Sequence, residues 1–181
     1  MPCDTMLRVL FQDEGCFGRI NDTRRCWAPL PIRPQVGHQI VREYVYSLIA
    51  VSPCDGRLTS LIMPWVDSEV MSIFLAHTAK EFDGDYCILF LDGAGWHRAN
   101  NLRVPPSIKL IFLPPYSPEL NPVEILWEHI RENYFKNLVF YSLDEVEDVL
   151  VKALNTLDDQ ASLVKSMVNY HWLDTLCLTS N

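Results

Sequence analysis

The sequence predicts an α/β fold: a mixed sheet, antiparallel where the chain begins and parallel further on, flanked by helices. Three observations predict it. Short β-leaning apolar runs fill the first half of the chain. Two continuous apolar runs further on, Tyr86–Leu91 and Ile108–Leu113, have the pattern of strands buried on both faces of a parallel sheet. The second half then shifts to helical spacing behind legible caps.

In chain order, Leu7–Gln12 (LRVLFQ) reads as the first strand and runs into Asp13-Glu14, with Phe17–Ile20 returning as its partner. A Pro-rich connector, Trp27-Ala28-Pro29-Leu30-Pro31-Ile32-Arg33-Pro34, separates these from strands at Tyr44–Val51 and Leu58–Met63, together an antiparallel meander. Asp67-Ser68-Glu69 supplies an N-cap and acidic first turn, after which Val70, Ile73, Phe74 and His77 recur at helical spacing to about Lys80. Tyr86–Leu91 ends in Asp92-Gly93, and the chain crosses through Trp96–Leu102 to a parallel partner at Ile108–Leu113. Pro114-Pro115-Tyr116-Ser117-Pro118 is a rigid loop, and Asn121-Pro122 opens a helix reaching about Lys136. The capping box Ser142-Leu143-Asp144-Glu145 starts another helix with Val146, Val149, Leu150, Ala153 and Leu157 on one stripe, and the end of the chain is helical and packs back on the sheet. Strands first, then alternating helices and strands, make this order ribonuclease H-like.

At 181 residues the chain is expected to be a single domain over 1–181. Apolar residues are 49% and charged ones 21%, which excludes a disordered, collagen-like or coiled-coil chain. No apolar run approaches the ~18 residues of a membrane span, and the N-terminus turns acidic before a secretory core is complete, so a cytoplasmic protein is expected. Fifteen Lys and Arg against twenty-three Asp and Glu leave a net charge of −8, a poor base for gripping nucleic acid by bulk charge. Residues 1–50, however, carry six arginines and five acids, so an anionic partner is expected to meet the N-terminal third. The six cysteines form no CxxC pair and are expected to be free, mostly buried thiols.

Three carboxylates stand at the ends of apolar elements: Asp13 after the first strand, Asp92 after the buried strand and Glu124 in the first turn of the helix opened by Asn121-Pro122. A mixed sheet can bring these to one rim, where like charges are costly without a cation between them. Oxygen-only ligands suit Mg²⁺ or Mn²⁺, and two such ions support in-line phosphoryl displacement. Taken singly, Asp13 and Asp92 are more often turn or cap residues ending a strand, and Glu124 is more often an acid complementing a helix N-terminus.

Their contexts decide between these readings. Leu91-Asp92-Gly93-Ala94-Gly95-Trp96-His97-Arg98-Ala99-Asn100, followed by the run from Leu113 to Trp127 (LPPYSPELNPVEILW), closely resembles the catalytic core of the mariner-superfamily DDE transposases, in particular the bacterial insertion-sequence branch. The stretch Phe11-Gln12-Asp13-Glu14-Gly15-Cys16-Phe17-Gly18 and Trp27-Ala28-Pro29 look like the first-aspartate region of that family. The resemblance implies a metal-binding catalytic triad of Asp13, Asp92 and Glu124 with two Mg²⁺ or Mn²⁺ ions. It implies cleavage of DNA at transposon ends by water attack and joining of the 3′-hydroxyl to target DNA without a covalent enzyme intermediate. Partners would be transposon-end and target DNA and, in the active complex, a second copy of the chain, at the nucleoid of a bacterial cell. His97 falls at the family's histidine beyond the second aspartate, where it acts near the site or packs under the strand end. Asn121 is also placed near the site, and Glu14 supports it from behind or faces solvent. Tyr116, Pro115 and Trp127 are expected to fix the loop and dock the helix. Arg19, Arg24 and Arg25, in the segment Arg19 to Arg42, are expected to contact DNA phosphates or a second subunit, or to be a solvated loop, with Arg24-Arg25 the most exposed anchor.

Two departures favour a competing reading, a catalytically silent, truncated relic or regulatory subunit. Gly93 stands where the family commonly has an amide, and Asp13 lies too near the chain start for the family's helix-turn-helix DNA-binding module to precede it. Asp92 and Glu124 stand 32 positions apart, a short separation for the superfamily. A nuclease of the same fold acting on RNA is argued against by the YSPELNPVE loop.

Overall fold

The computed structural model describes residues 6–21 and 23–173. Five strands form one sheet: β1 (Met6–Ile20), β2 (Ile40–Val51), β3 (Leu58–Met63), β4 (Asp85–Leu91) and β5 (Ile108–Phe112), in the order β3-β2-β1-β4-β5. The pairs β1/β2 and β2/β3 are antiparallel, β1/β4 and β4/β5 parallel. Four helices flank it, α1 (Ser68–Glu81), α2 (Val123–Ile130), α3 (Leu143–Asp158) and α4 (Ala161–Val168), which makes the arrangement ribonuclease H-like.

Period-two alternation along β1 divides the core. Val9, Phe11 and Phe17 pack with Val45 and Ile49 under α2, α3 and α4, while Leu10 packs with Leu48, Leu89 and Leu91 under α1. The caps lie where the sequence places them. Asp67 accepts from the backbone N–H of Glu69 and Val70, and Ser142 from that of Glu145.

Five expectations need correction. Phe17–Ile20 does not fold back on Leu7–Gln12: β1 is one fifteen-residue strand whose second half pairs with β2, Phe17 opposite Val45. Gly15, inside this continuous strand, is needed for room, since a Cβ there would stand 2.9 Å from the Trp127 ring. The buried face of α1 is Val70, Met71, Phe74, Leu75 and Thr78, with Ile73 exposed. On β4 every second residue is buried, and β5 is an edge strand with Lys109 and Phe112 exposed. The helix after Pro122 leaves α-geometry at Ile130 and continues as a π-turn over Arg131–Phe135. Cys54 is disulfide-bonded, and Cys16 and Cys26 are free but exposed, so buried free thiol describes Cys87 alone among the described cysteines. Cys3, Cys177 and the chain's last eight residues lie outside the described residues. No helix among the described residues is long and apolar enough to cross a membrane.

The β2–β3 turn docks on α4. Gly56 has φ +76°, and a Cβ there would stand 1.9 Å from the Ala161 carbonyl oxygen. Gly84, before β4, has φ +88° with open space around it. Gly84→Ala is therefore expected to cost only the left-handed backbone penalty, about 1 kcal/mol. Gly56→Ala adds a backbone clash and is expected to cost about 3 kcal/mol. Urea denaturation of both variants checks this, and equal losses would remove the docking argument.

Candidate active site

Asp13, Asp92 and Glu124 line one open cleft of about 480 Å³, together with Asn121, Arg98 and the loop from Leu113 to Pro118. Each reaches it by a different element. Asp13 follows the parity of Phe11 on β1 and so faces the α2 side, where Trp127 Nε1 donates to its Oδ2 at 2.9 Å. Glu124 stands one turn before Glu128 on α2. Asn121 positions that helix: it is buried, its Nδ2 donates to the Gln12 carbonyl at 2.9 Å, and its Oδ1 accepts from the Val123 N–H at 3.2 Å. The chain entering α2 is thereby fastened to the residue preceding Asp13. Asp92 lies just past β4, exposed, with its Oδ1 accepting from the Ala94 N–H at 2.9 Å.

The electrostatics follow from this placement. Burial, reinforced by the negative charge of Glu124, pushes the Asp13 carboxyl up to about 7, with the Trp127 hydrogen bond opposing the rise. Among the described residues no basic group pairs with Asp13. The charge of Glu124 also reaches Tyr170, whose hydroxyl is raised chiefly by burial.

On the opposite face of β1, the Glu14 side chain is turned away from solvent, while its charge still adds to the rise at Asp13. Its Oε1 accepts from Gln12 Nε2 at 3.1 Å and Trp96 Nε1 at 3.3 Å, and lies 2.8 Å from His97 Nε2. His97 Nδ1 lies 3.1 Å from the Asp92 carbonyl oxygen and 2.8 Å from Asp92 Oδ1. Both ring nitrogens therefore face acceptors. Burial alone would lower this imidazole, but Glu14 and then Asp92 outweigh it and the value is raised, favouring the imidazolium. Glu14, Asp92 and His97 are the one group among the described residues whose metal-type donor atoms all lie within 4.8 Å of one another. The sequence separation of 83 residues between Glu14 and His97 left no local signal for this chain of contacts.

The N-terminal arginines stand elsewhere. Arg24 is not an exposed anchor: it pairs with Glu128 and, at 3.0 Å, with Glu132, both beyond Glu124 on the same helical run. Arg19 donates to Glu43 at 2.7 Å and to the Phe140 carbonyl at 3.0 Å. Arg25 is exposed, and none of the three lines the cleft.

Comparison with known proteins shows the family and the fold. Residues 8–147 match the family described as DDE superfamily endonuclease. A protein of Sinorhizobium fredii (strain NBRC 101917 / NGR234) named "Uncharacterized protein y4pE/y4sA" is 39% identical over 130 residues, covering 71% of this chain and 96% of that one. Among solved structures, the Mos1 transposase paired-end complex with left transposon end is similar at a TM-score of 0.59 and 16% identity, covering 90% of this chain and 56% of that one. The Mos1 mariner paired-end complex with Mn is similar at 0.59 and 14% identity, with the same coverage. The chain thus spans little more than half the length of the Mos1 chains.

Asp13 carries a stability signature with a definite sign. Its folded value lies above the ordinary 3.8, so its cost to the fold is absent below about 3.8 and complete above about 7. Asp13→Asn is expected to raise the Tm at about pH 8 and to change it little at about pH 4. Trp127→Phe, which keeps the ring in the core and deletes the donor, is expected to move the Asp13 carboxyl further up in an NMR titration. A pH-independent Asp13→Asn effect would disprove the burial argument.

Proposed function

The chain belongs to the DDE superfamily endonucleases, and from that premise we propose that it is a transposase catalytic domain. In this reading it is a metal-dependent DNA endonuclease and strand-transferase that cleaves phosphodiesters at transposon ends and joins the 3′-hydroxyl to target DNA. The observation that carries this reading is the meeting of Asp13, Asp92 and Glu124 on one cleft, with Asp13 half-buried near the charge of Glu124 and, among the described residues, in no ion pair with a basic side chain. A cluster of that kind lowers its energy by taking up a divalent ion.

The donor set fits Mg²⁺ or Mn²⁺: three carboxylates, one half-buried and two exposed, with no thiolate among the residues lining the cleft. Two bound ions would supply an activated water or 3′-hydroxyl and a stabilised leaving oxygen. The protein's own part is positional. Trp127 holds one Asp13 oxygen in place. Asn121 keeps Glu124 in reach of Asp13 through the Gln12 carbonyl. Glu14, acting through His97, restrains the exposed Asp92 at the end of β4. In this reading the whole of 1–181 acts as one catalytic unit, its partners are transposon-end and target DNA, and its working form is a homodimer.

A second reading, a silent relic or regulatory subunit that keeps the fold, is favoured by Gly93, which offers no side-chain amide beside Asp92. Calorimetric titration of Mn²⁺ into the purified chain with a short nicked duplex separates the two. Carboxylate-dependent binding, lost by at least about tenfold in Asp92→Asn and Glu124→Gln, supports the enzyme. A folded chain that takes up no Mn²⁺ supports the relic. Because Asp13 must shed its proton to ligate, Mn²⁺ affinity is also expected to rise as pH passes upward through about 7.

A further inference from the structure

A DNA backbone entering a cleft lined by three carboxylates meets repulsion that the net charge of −8 does nothing to relieve. The arginines expected to meet it are spent or distant: Arg19 and Arg24 are held in ion pairs, and Arg25 does not line the cleft. Among the described residues, Arg98 is the one basic residue that does.

Its setting is built from two neighbours. The guanidinium lies over the Phe112 ring, 4.8 Å from the centroid, a stacking that suits a planar, weakly hydrated cation. Its other side lies against Gly93: a Cβ at that position would stand 2.9 Å from Nη2. The departure of Gly93 from the family's amide thus has a counterpart, since a side chain there would occupy the space the guanidinium uses. Although Asp92 and Glu124 line the same cleft, Arg98 makes no hydrogen bond or ion pair among the described residues, and it is exposed. A cation oriented by an aromatic face, unpaired, beside an acidic site is arranged for an anion that arrives from outside.

We propose that Arg98, seated between Gly93 and Phe112 at the carboxylate cleft, binds a phosphodiester of the DNA and holds the backbone against Asp92. This rests on the reading of the cleft as a site for DNA, and it assigns Arg98 to substrate binding.

Fluorescence anisotropy of the full chain with a short nicked duplex, in Ca²⁺ buffer over a salt series, tests it. Arg98→Ala is expected to weaken binding about tenfold and to lower the slope of log affinity on log salt by about one. Arg98→Lys is expected to recover the slope and only part of the affinity, because an ammonium does not stack as a plane. Gly93→Ala, whose methyl group displaces the guanidinium, is expected to reproduce part of the Arg98→Ala defect, and the double variant to be no weaker than Arg98→Ala. Unchanged affinity and slope in Arg98→Ala, or additive losses in the double variant, would overturn the proposal. If the unaltered chain takes up Mn²⁺ and binds the duplex while Arg98→Ala binds it equally well, the Arg98 assignment alone fails. If the folded, unaltered chain binds neither, the DNA reading of the cleft falls with it.

Discussion

The two-residue period of β1 sends Asp13 to one face of the sheet and Gln12 and Glu14 to the other, and the site is arranged around that division. On the α2 face, Asp13 meets Trp127 and the charge of Glu124. On the α1 side, Glu14 takes His97 and, through it, the end of β4. β1 is also the central strand, antiparallel to β2 and parallel to β4, so it joins the two halves of the sheet. A one-residue slip of its register would exchange Asp13 with a neighbour on the wrong face and bury Gln12 or Glu14 under α2.

The acidic cleft is a local expense that the surrounding contacts hold in place. Asp13 is kept near the charge of Glu124 by groups that themselves carry no charge, the Trp127 indole and the Asn121 carboxamide. Neutral donors fix the geometry without neutralising the carboxylates. Asp92 has the opposite support, an imidazole whose far nitrogen is anchored on Glu14. The three carboxylates therefore differ in how tightly they are held: Asp13 by burial, Asp92 by a charged tether, Glu124 by the helix that bears it.

Much of this was legible from the residues alone, for reasons of scale. Strand cores such as Tyr44–Val51 and Leu58–Met63, and the caps Asp67 and Ser142, depend on neighbours within a few positions, and the structure reproduces them to within a few residues. The convergence of Asp13, Asp92 and Glu124 on one rim was legible because strand ends and a helix start are topologically placed in a mixed sheet. What failed depended on distant partners. Phe17–Ile20 reads as a returning strand because nothing local shows that the chain runs straight through Gly15 past Trp127, more than a hundred residues away. The α1 stripe is displaced because Met71 and Leu75 are selected by the sheet face they cover, and Glu14 could not be assigned until His97 was placed beside it. Arg24 belongs to the same class, since Glu128 and Glu132 lie more than a hundred positions away, on the helical run that begins with α2.

That last pairing has a mechanical consequence. Arg24 clasps α2 one turn beyond Glu124, and its backbone N–H also donates to Asn137 Oδ1 at 2.8 Å. The Pro-rich connector from β1 to β2 is thus coupled at its root to the helix bearing the third carboxylate, and this same connector exposes Trp27, Leu30 and Ile32. A displacement of the connector would therefore be felt, through Arg24, about one helical turn from Glu124. The alignment of the carboxylates is in this sense hinged to the outer surface of the molecule, some distance from the cleft that they line.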